Sequence, residues 1–340
     1  MKRIGNLYEK ICSIENLQLA DEKARKGKLR TYGVIEHDKN REANLLKLRE
    51  TLLNGTFHTS KYDVFTIYEP KEREIYRLPY FHDRILHHAI MNVLEPIWVS
   101  TFTADTYSCI KNRGIHAAAK KVKQALREDP EGTTFCLKLD IRKFYPSINH
   151  DVLKSILRRK LKDKRLLRLL DEIVDSADGV PIGNYLSQYF ANLYLTYFDH
   201  WIKEQKRVKH YFRYADDIVI LAPDKAYLHS LMGEIRAYLG DLKLEVKGNW
   251  QVFPVAARGI DFVGYVFFHT HTRMRKGIKK TFCQRLAKLN KRKGPLSEKD
   301  FKQAICPWWG WAKSCDSKHL IKKLSKTSKY EICLLYTSDA

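Results

Sequence analysis

Apolar positions recur every three to four residues across 1–55, which predicts helices with a turn near Tyr32-Gly33. The period then drops to two. Residues 61–68 and 74–78 alternate apolar and polar side chains, the pattern of a β-hairpin turning around Pro70. Helical spacing returns over 80–98, and again over 115–128 after the Arg113-Gly114 break. Leu137-Lys138-Leu139-Asp140-Ile141 reads as a short buried strand ending in a carboxylate. Asn149 is a good N-cap for a helix carrying Val152, Leu153, Ile156, Leu157 and Leu161 on one face. A second helix is expected over 184–204, opened by Pro181-Ile182-Gly183. Two apolar strands follow at 209–214 and 218–221, joined by Ala215-Asp216-Asp217. Phe282, Leu286 and Leu289 restore helical spacing further on, and Lys291-Arg292-Lys293-Gly294-Pro295 reads as an interdomain joint.

Composition narrows the class. The 340 residues carry 62 Lys+Arg against 39 Asp+Glu, a formal charge of +23, with 44% hydrophobic and 12% aromatic residues. That is a folded, strongly basic chain with room for two or three packed units. A surplus of this size suits a polyanion, because each neutralised phosphate releases counterions. Residues 271–330 hold 18 Lys/Arg and three acids (Glu298, Asp300, Asp316), supplying +15 of the +23. No apolar run is long enough for a membrane span, and the N-terminus lacks the apolar core of a secretory signal. Seven cysteines without a Cys-x-x-Cys indicate neither a disulfide framework nor a zinc site, and suit a reducing cytoplasm. His87-His88 and His269-x-His271 lack a Cys or carboxylate at ligand spacing and read as structural or nucleic-acid-facing.

The carboxylates carry the chemistry. Tyr214-Ala215-Asp216-Asp217 places two adjacent carboxylates between apolar strands, which is costly unless something neutralises them. A solvated Asp-Asp turn is the competing reading. Asp140, also ending an apolar strand, favours a metal site, since carboxylates from adjacent strand ends suit hard cations. Two Mg²⁺ ions about 4 Å apart activate a 3′-hydroxyl and stabilise a leaving pyrophosphate. Asp140 and Asp216 would bridge both ions, with Asp217 supporting from the side and the backbone of Ile141 completing the set.

At this point the chain resembles the reverse transcriptases, in seven motifs that run in order. Arg77-Leu78-Pro79 with Asp83-Arg84-Ile85, and Thr106-Tyr107-Ser108 through Asn112-Arg113-Gly114, are similar to the two fingers motifs. Leu139-Asp140-Ile141-Arg142-Lys143-Phe144-Tyr145 is similar to the palm strand with the first metal ligand. Gly179-Val180-Pro181-Ile182-Gly183 through Ser187-Gln188 fits the next motif, and Tyr214-Ala215-Asp216-Asp217 the catalytic hairpin. Leu244-Glu245-Val246-Lys247 and Phe262-Val263-Gly264-Tyr265 fit the two that close the palm and grip the primer.

The resemblance implies an α+β right-hand polymerase. Its parts would be an N-terminal helical extension (1–60), fingers (61–135), a palm with an antiparallel sheet (136–270, with fingers elements near 150–180), a basic helical thumb (271–330) and a tail of uncertain status (331–340). It implies an RNA-directed DNA polymerase with RNA template, RNA–cDNA hybrid and dNTPs as partners. Tyr145 becomes the steric gate against a 2′-hydroxyl, with a core tyrosine as the alternative. Arg113 and Arg77 become triphosphate clamps, although Arg77 also suits a solvated strand position. Lys247 becomes the proton donor to pyrophosphate, with a surface lysine as the alternative. Ile182, Gly183 and Gln188 would line the nucleotide site. The tryptophans of Pro307-Trp308-Trp309-Gly310-Trp311 would pack the thumb rather than stack on bases.

One departure points to a subclass. Most retron and group II intron relatives carry Pro-Gln-Gly-x-x-x-Ser-Pro, where this chain has Pro181-Ile182-Gly183-Asn184-Tyr185-Leu186-Ser187-Gln188. Ile182 and Gln188 resemble reverse transcriptases of diversity-generating retroelements. That implies error-prone copying opposite template adenines, a small basic accessory protein and a bacterial or phage-infected cytoplasm. Neutral drift at two positions competes with it. A retron-type or phage-defence reverse transcriptase is the alternative enzyme, and a non-catalytic RNA-binding scaffold the alternative class.

Overall fold

The computed structural model describes residues 3–68, 72–292, 294 and 296–330. They form two compact units, each built from three stretches of chain. The first takes the described residues within 1–110, 140–207 and 234–248, the second those within 111–139, 208–233 and 249–340. The 331–340 tail and the Pro70 turn lie outside the described residues. No described helix is long and apolar enough to cross a membrane.

In the first unit, the helix Ile14–Ala24 packs on Ile85–Val99, both amphipathic with fully buried Leu17, Ala20, Ile90 and Leu94. Asp21, on the first of these helices, is fully buried. Burial opposes its charge, yet His37 beside it at 3.4 Å and hydrogen bonds from Tyr80, Arg41 and Arg25 hold its carboxyl far below the ordinary range. The turn expected at Tyr32-Gly33 lies earlier, at 25–31. Tyr32–Asp38 is helical, with Gly33 so close to Tyr80 that a Cβ would stand 2.9 Å from it. Strands β1 (Asp63–Ile67) and β2 (Arg73–Arg77) form the expected hairpin, in register Asp63 to Arg77. The helix expected over 80–98 opens on a wide turn, Tyr80–Arg84, with Phe81 extended, before running regularly over Ile85–Val99.

Asn149 caps His150–Lys160 by accepting from Val152 N, as its sequence indicates. The single helix expected over 184–204 is three pieces: Tyr185–Tyr194, Thr196–His200 and the wide turn Trp201–Gln205. Leu195 leaves helical geometry (φ −97°, ψ 1°), and Thr196 Oγ1 bonds back to the Asn192 carbonyl at 3.0 Å, a contact that bends helices.

The second unit holds a sheet in the order β4-β5-β3-β6: β3 (Phe135–Asp140), β4 (His210–Tyr214), β5 (Asp217–Ala222) and β6 (Gln251–Pro254). A second, antiparallel sheet comprises β7 (Ile260–Phe262), β8 (Tyr265–Phe267) and β9 (Thr272–Met274). Basic helices Lys276–Asn290, Glu298–Lys313 and Lys318–Thr327 share an apolar core that includes Phe282, Leu286, Phe301, Ile305 and Trp309. The stretch read as an interdomain joint therefore links two helices of one packed unit; Lys293 and Pro295 themselves lie outside the described residues. The tryptophans pack as expected. Trp309 is buried in that core, Trp308 lies parallel to Phe282, and Trp311 packs on Tyr265 with centroids 5.0 Å apart.

Candidate active site

The Asp pair sits at the closed end of the β4–β5 hairpin. Tyr214 opposes Asp217, leaving Ala215 and Asp216 as a two-residue turn. Ala215 takes φ 54°, a conformation that costs a residue bearing a Cβ about 1–3 kcal/mol. Arg213, wholly buried, donates from Nη1 to the Ala215 carbonyl at 3.0 Å and braces the turn. Strain is thus held at the residue that presents Asp216.

Asp140 closes β3. Its carbonyl accepts from Lys247 N at 2.9 Å, Arg142 N donates to the Glu245 carbonyl at 2.8 Å, and Ile141, fully buried, pairs with Val246. Glu245-Val246-Lys247 therefore runs as a short edge segment beside Asp140-Ile141-Arg142. This pairing brings Lys247 Nζ to 2.5 Å from Asp140 Oδ1. A long sequence separation becomes a salt bridge through backbone register alone.

The 179–183 loop gathers the other first-unit residues. Val180 N donates to the Tyr145 carbonyl at 2.9 Å, and Tyr76 N to the Ile182 carbonyl at 2.8 Å. Gly183 (φ 123°) lies so close to β2 that a Cβ would stand 2.6 Å from the Tyr76 carbonyl oxygen. Only glycine fits there. Tyr145, Ile182, Gly183 and Arg77 thereby share one neighbourhood, with Arg77 paired to Asp63 and over the Phe65 ring. Arg113 belongs to the second unit, directly before Gly114, which opens the helix Ile115–Glu128.

Sequence reasoning missed a cleft of about 460 Å³ within the first unit. Lys23, Lys26 and Lys28 line it together with Arg77, Arg84 and Gln188, and no acidic side chain is among the lining residues. His88 stacks on Tyr185 there, centroids 4.3 Å apart. Burial, then Lys28, Arg84 and Lys23, push the His88 imidazole down to about 4. Burial followed by Arg84 likewise lowers Lys28. Crowded cations and a stacked aromatic pair suit phosphates and bases. The lysines fall at 23, 26 and 28, a spacing that also marks an ordinary solvated helix end, so the sequence held no distinguishing signal.

For a divalent metal, the donor chemistry fits. Asp140 and Asp217 present carboxylate oxygens, and each already faces an ammonium: Lys247 at 2.5 Å and Lys138 at 3.6 Å. Among the described residues no three His, Cys, Asp or Glu side chains are gathered as a ready-made metal cluster.

The profile of the family described as reverse transcriptase (RNA-dependent DNA polymerase) matches residues 69–267, a stretch that includes Asp140, the Asp216-Asp217 hairpin and Lys247. The chain belongs to this family. It is 26% identical over 274 residues to protein YkfC of Escherichia coli, covering 66% of this chain and 71% of that one. It is 23% identical over 191 residues to the group II intron-encoded protein LtrA of Lactococcus lactis, covering 52% of this chain and 31% of that one. Among solved structures, telomerase from Candida tropicalis superposes with a TM-score of 0.50 at 12% identity, over 85% of this chain and 59% of that one. That likeness shows the right-hand polymerase fold. The chain thus spans most of YkfC but about a third of LtrA. As a reverse transcriptase it is an RNA-directed DNA polymerase, whose reaction takes an RNA template and calls for a divalent metal ion.

Proposed function

We propose that this reverse transcriptase belongs to a diversity-generating retroelement and copies its template RNA into cDNA with errors concentrated opposite adenines. Asp140, Asp216 and Asp217, with the Ile141 carbonyl, are the residues to hold two Mg²⁺ ions, which supply 3′-hydroxyl activation and charge stabilisation at the leaving pyrophosphate. The remaining roles fall to this chain's side chains. Lys247 holds a proton at Nζ beside the first carboxylate, as a general acid for pyrophosphate does. Arg113 and Arg77 bind the triphosphate by charge-assisted hydrogen bonds. Tyr145 bars the 2′-hydroxyl. The observation that carries the polymerase reading is the strained Ala215-Asp216 turn braced by buried Arg213. A merely solvated turn gives no return for such strain.

The subclass rests on Ile182 and Gln188. Ile182 is half-buried where its carbonyl pairs with Tyr76, and Gln188 opens on the basic cleft. An apolar Ile182 removes an amide from beside the nascent pair, so selection there leans on shape. Primer extension on a defined RNA with Mg²⁺ and four dNTPs, followed by sequencing, is the test. Errors piled up opposite adenines, reduced by Ile182→Gln, are expected. Equal error rates at all four bases, in both proteins, sink the subclass and leave a retron-type or defence enzyme, a reading kept in view by the likeness to intron-encoded relatives. A small basic accessory protein and a bacterial or phage-infected cytoplasm belong to the same proposal.

The cleft makes a separate prediction. Replacing Lys23, Lys26 and Lys28 together by Gln will flatten the log-log salt dependence of single-stranded RNA binding by roughly two. A salt series by fluorescence anisotropy checks this; an unchanged slope removes the cleft from the RNA path.

A further inference from the structure

Within the second unit, one side chain links the catalytic hairpin to the strand that leads into the Phe262-Val263-Gly264-Tyr265 turn. Lys138 lies on β3 two residues before Asp140, on the same face by strand periodicity. Its Nζ donates to the main-chain carbonyl of Asp261 on β7 and lies 3.6 Å from Oδ1 of Asp217, the first residue of β5. The Asp261 carboxylate is itself engaged by Arg275, whose Nε donates at 2.7 Å. Lys138 therefore reaches β7 through backbone, a contact that no change of side chain at position 261 removes.

The turn one residue beyond is tightly held. Val263 and Gly264 take φ 41° and 85°. Arg275 N donates to the Gly264 carbonyl at 3.0 Å, and a Cβ on Gly264 would stand 2.2 Å from the Trp311 ring. Against such a fixed base, the other end of the Lys138 bridge is the Asp217 carboxylate. Lys138 interrupts a run of fully buried neighbours, Cys136, Leu137 and Leu139. Lys138 itself keeps a quarter of its side chain exposed, and holding it against two partners costs side-chain entropy, offset only by what it binds.

We propose that Lys138 is a positioning residue of the polymerase site: it sets Asp217 relative to the strand entering the 262–265 turn and competes with the metal for the Asp217 carboxylate. The inference rests on the polymerase reading above. An ammonium beside a carboxylate holds the group in one place and opposes a second cation approaching it. Loss of Lys138 therefore moves two quantities in opposite directions, tighter metal binding and slower chemistry. A side chain that only packs gives no such split.

Lys138→Met removes the charge and keeps the apolar stem. Single-turnover nucleotide addition on a defined RNA template and DNA primer should slow by roughly tenfold to a hundredfold. Mn²⁺ binding to the protein without nucleic acid, read by calorimetry, should tighten by roughly twofold to fivefold. Lys138→Arg should recover most of the Mn²⁺ affinity of the wild type and part of the rate. In an Asp217→Asn background, Lys138→Met should leave Mn²⁺ affinity where Asp217→Asn alone sets it. Unchanged or weaker Mn²⁺ binding by a Lys138→Met protein of wild-type melting temperature overturns the proposal, and so does an undiminished rate. Should Lys138→Met fail to fold, Lys138→Arg decides: Mn²⁺ affinity near that of the wild type with a partly reduced rate is expected, and an undiminished rate or an affinity well away from that of the wild type overturns the proposal. Wild-type protein that adds no nucleotide at all overturns the polymerase reading and this inference with it.

Discussion

Asp216→Asn will lower primer extension by at least about a thousandfold, the scale of several kcal/mol of metal-borne charge stabilisation. The expectation follows from where Asp216 stands. It occupies a two-residue turn whose preceding alanine is held at positive φ, and whose backbone is fixed by a buried arginine. Asparagine matches aspartate in size and keeps one acceptor oxygen, so the turn has no steric reason to change. Melting temperature and affinity for single-stranded RNA should stay near wild type, because the basic cleft lies on other elements. Robust extension by Asp216→Asn would show that the catalytic metal is held elsewhere, whereas loss of melting temperature alongside activity would assign the aspartate to the hairpin's stability. Asp217→Asn provides the contrast. Since Lys138 already faces that carboxylate, its neutralisation should cost less than the change at Asp216.

What was readable in the sequence divides along the range of the interactions. The β4–β5 hairpin was legible because apolar strand runs bracket two adjacent acids, whose charges are costly between such strands unless something neutralises them. The helix His150–Lys160 was legible because its cap and its apolar face are both local signals. The break at Leu195 was not: Thr196 bonding back to Asn192 is a conformational choice that the apolar period does not record. The turn placed at Tyr32-Gly33 misread a glycine whose use is close packing on Tyr80, a contact across the fold. The site shows the same divide. Asp140 and Asp216 were named as carboxylates ending apolar strands and Lys247 from the motif resemblance, but the backbone pairing that joins Lys247 to Asp140 is non-local. Arg213 and Lys138 passed unnoticed because a lone basic residue in an apolar strand looks like an exposed edge position until its partners are seen. The cation cleft escaped for a related reason. Its lysines come from the end of the helix Ile14–Ala24 and the turn after it, and its arginines from β2 and the wide turn Tyr80–Arg84.

Tyr145→Ala should admit ribonucleotides, lowering the preference for dNTPs over rNTPs by roughly a hundredfold, the range available to a steric contact in a fitted pocket. The ring is half-buried on a four-residue helical turn, packed edge-on against Phe144 with centroids 5.6 Å apart. Its carbonyl accepts from Val180 N at 2.9 Å, which ties the turn to the loop carrying Ile182 and Gly183. That bond is made by backbone and survives the truncation, so the loop keeps its anchor while the ring's bulk disappears. Tyr145→Phe separates the two readings of the residue, since it retains the bulk and removes only the hydroxyl. A gate predicts that phenylalanine preserves discrimination and alanine abolishes it, with dNTP turnover changed far less than rNTP turnover. A core tyrosine predicts the opposite division: alanine lowers melting temperature and slows both nucleotide classes alike. Incorporation of each dNTP and its rNTP counterpart by the three proteins, on one template, decides between them.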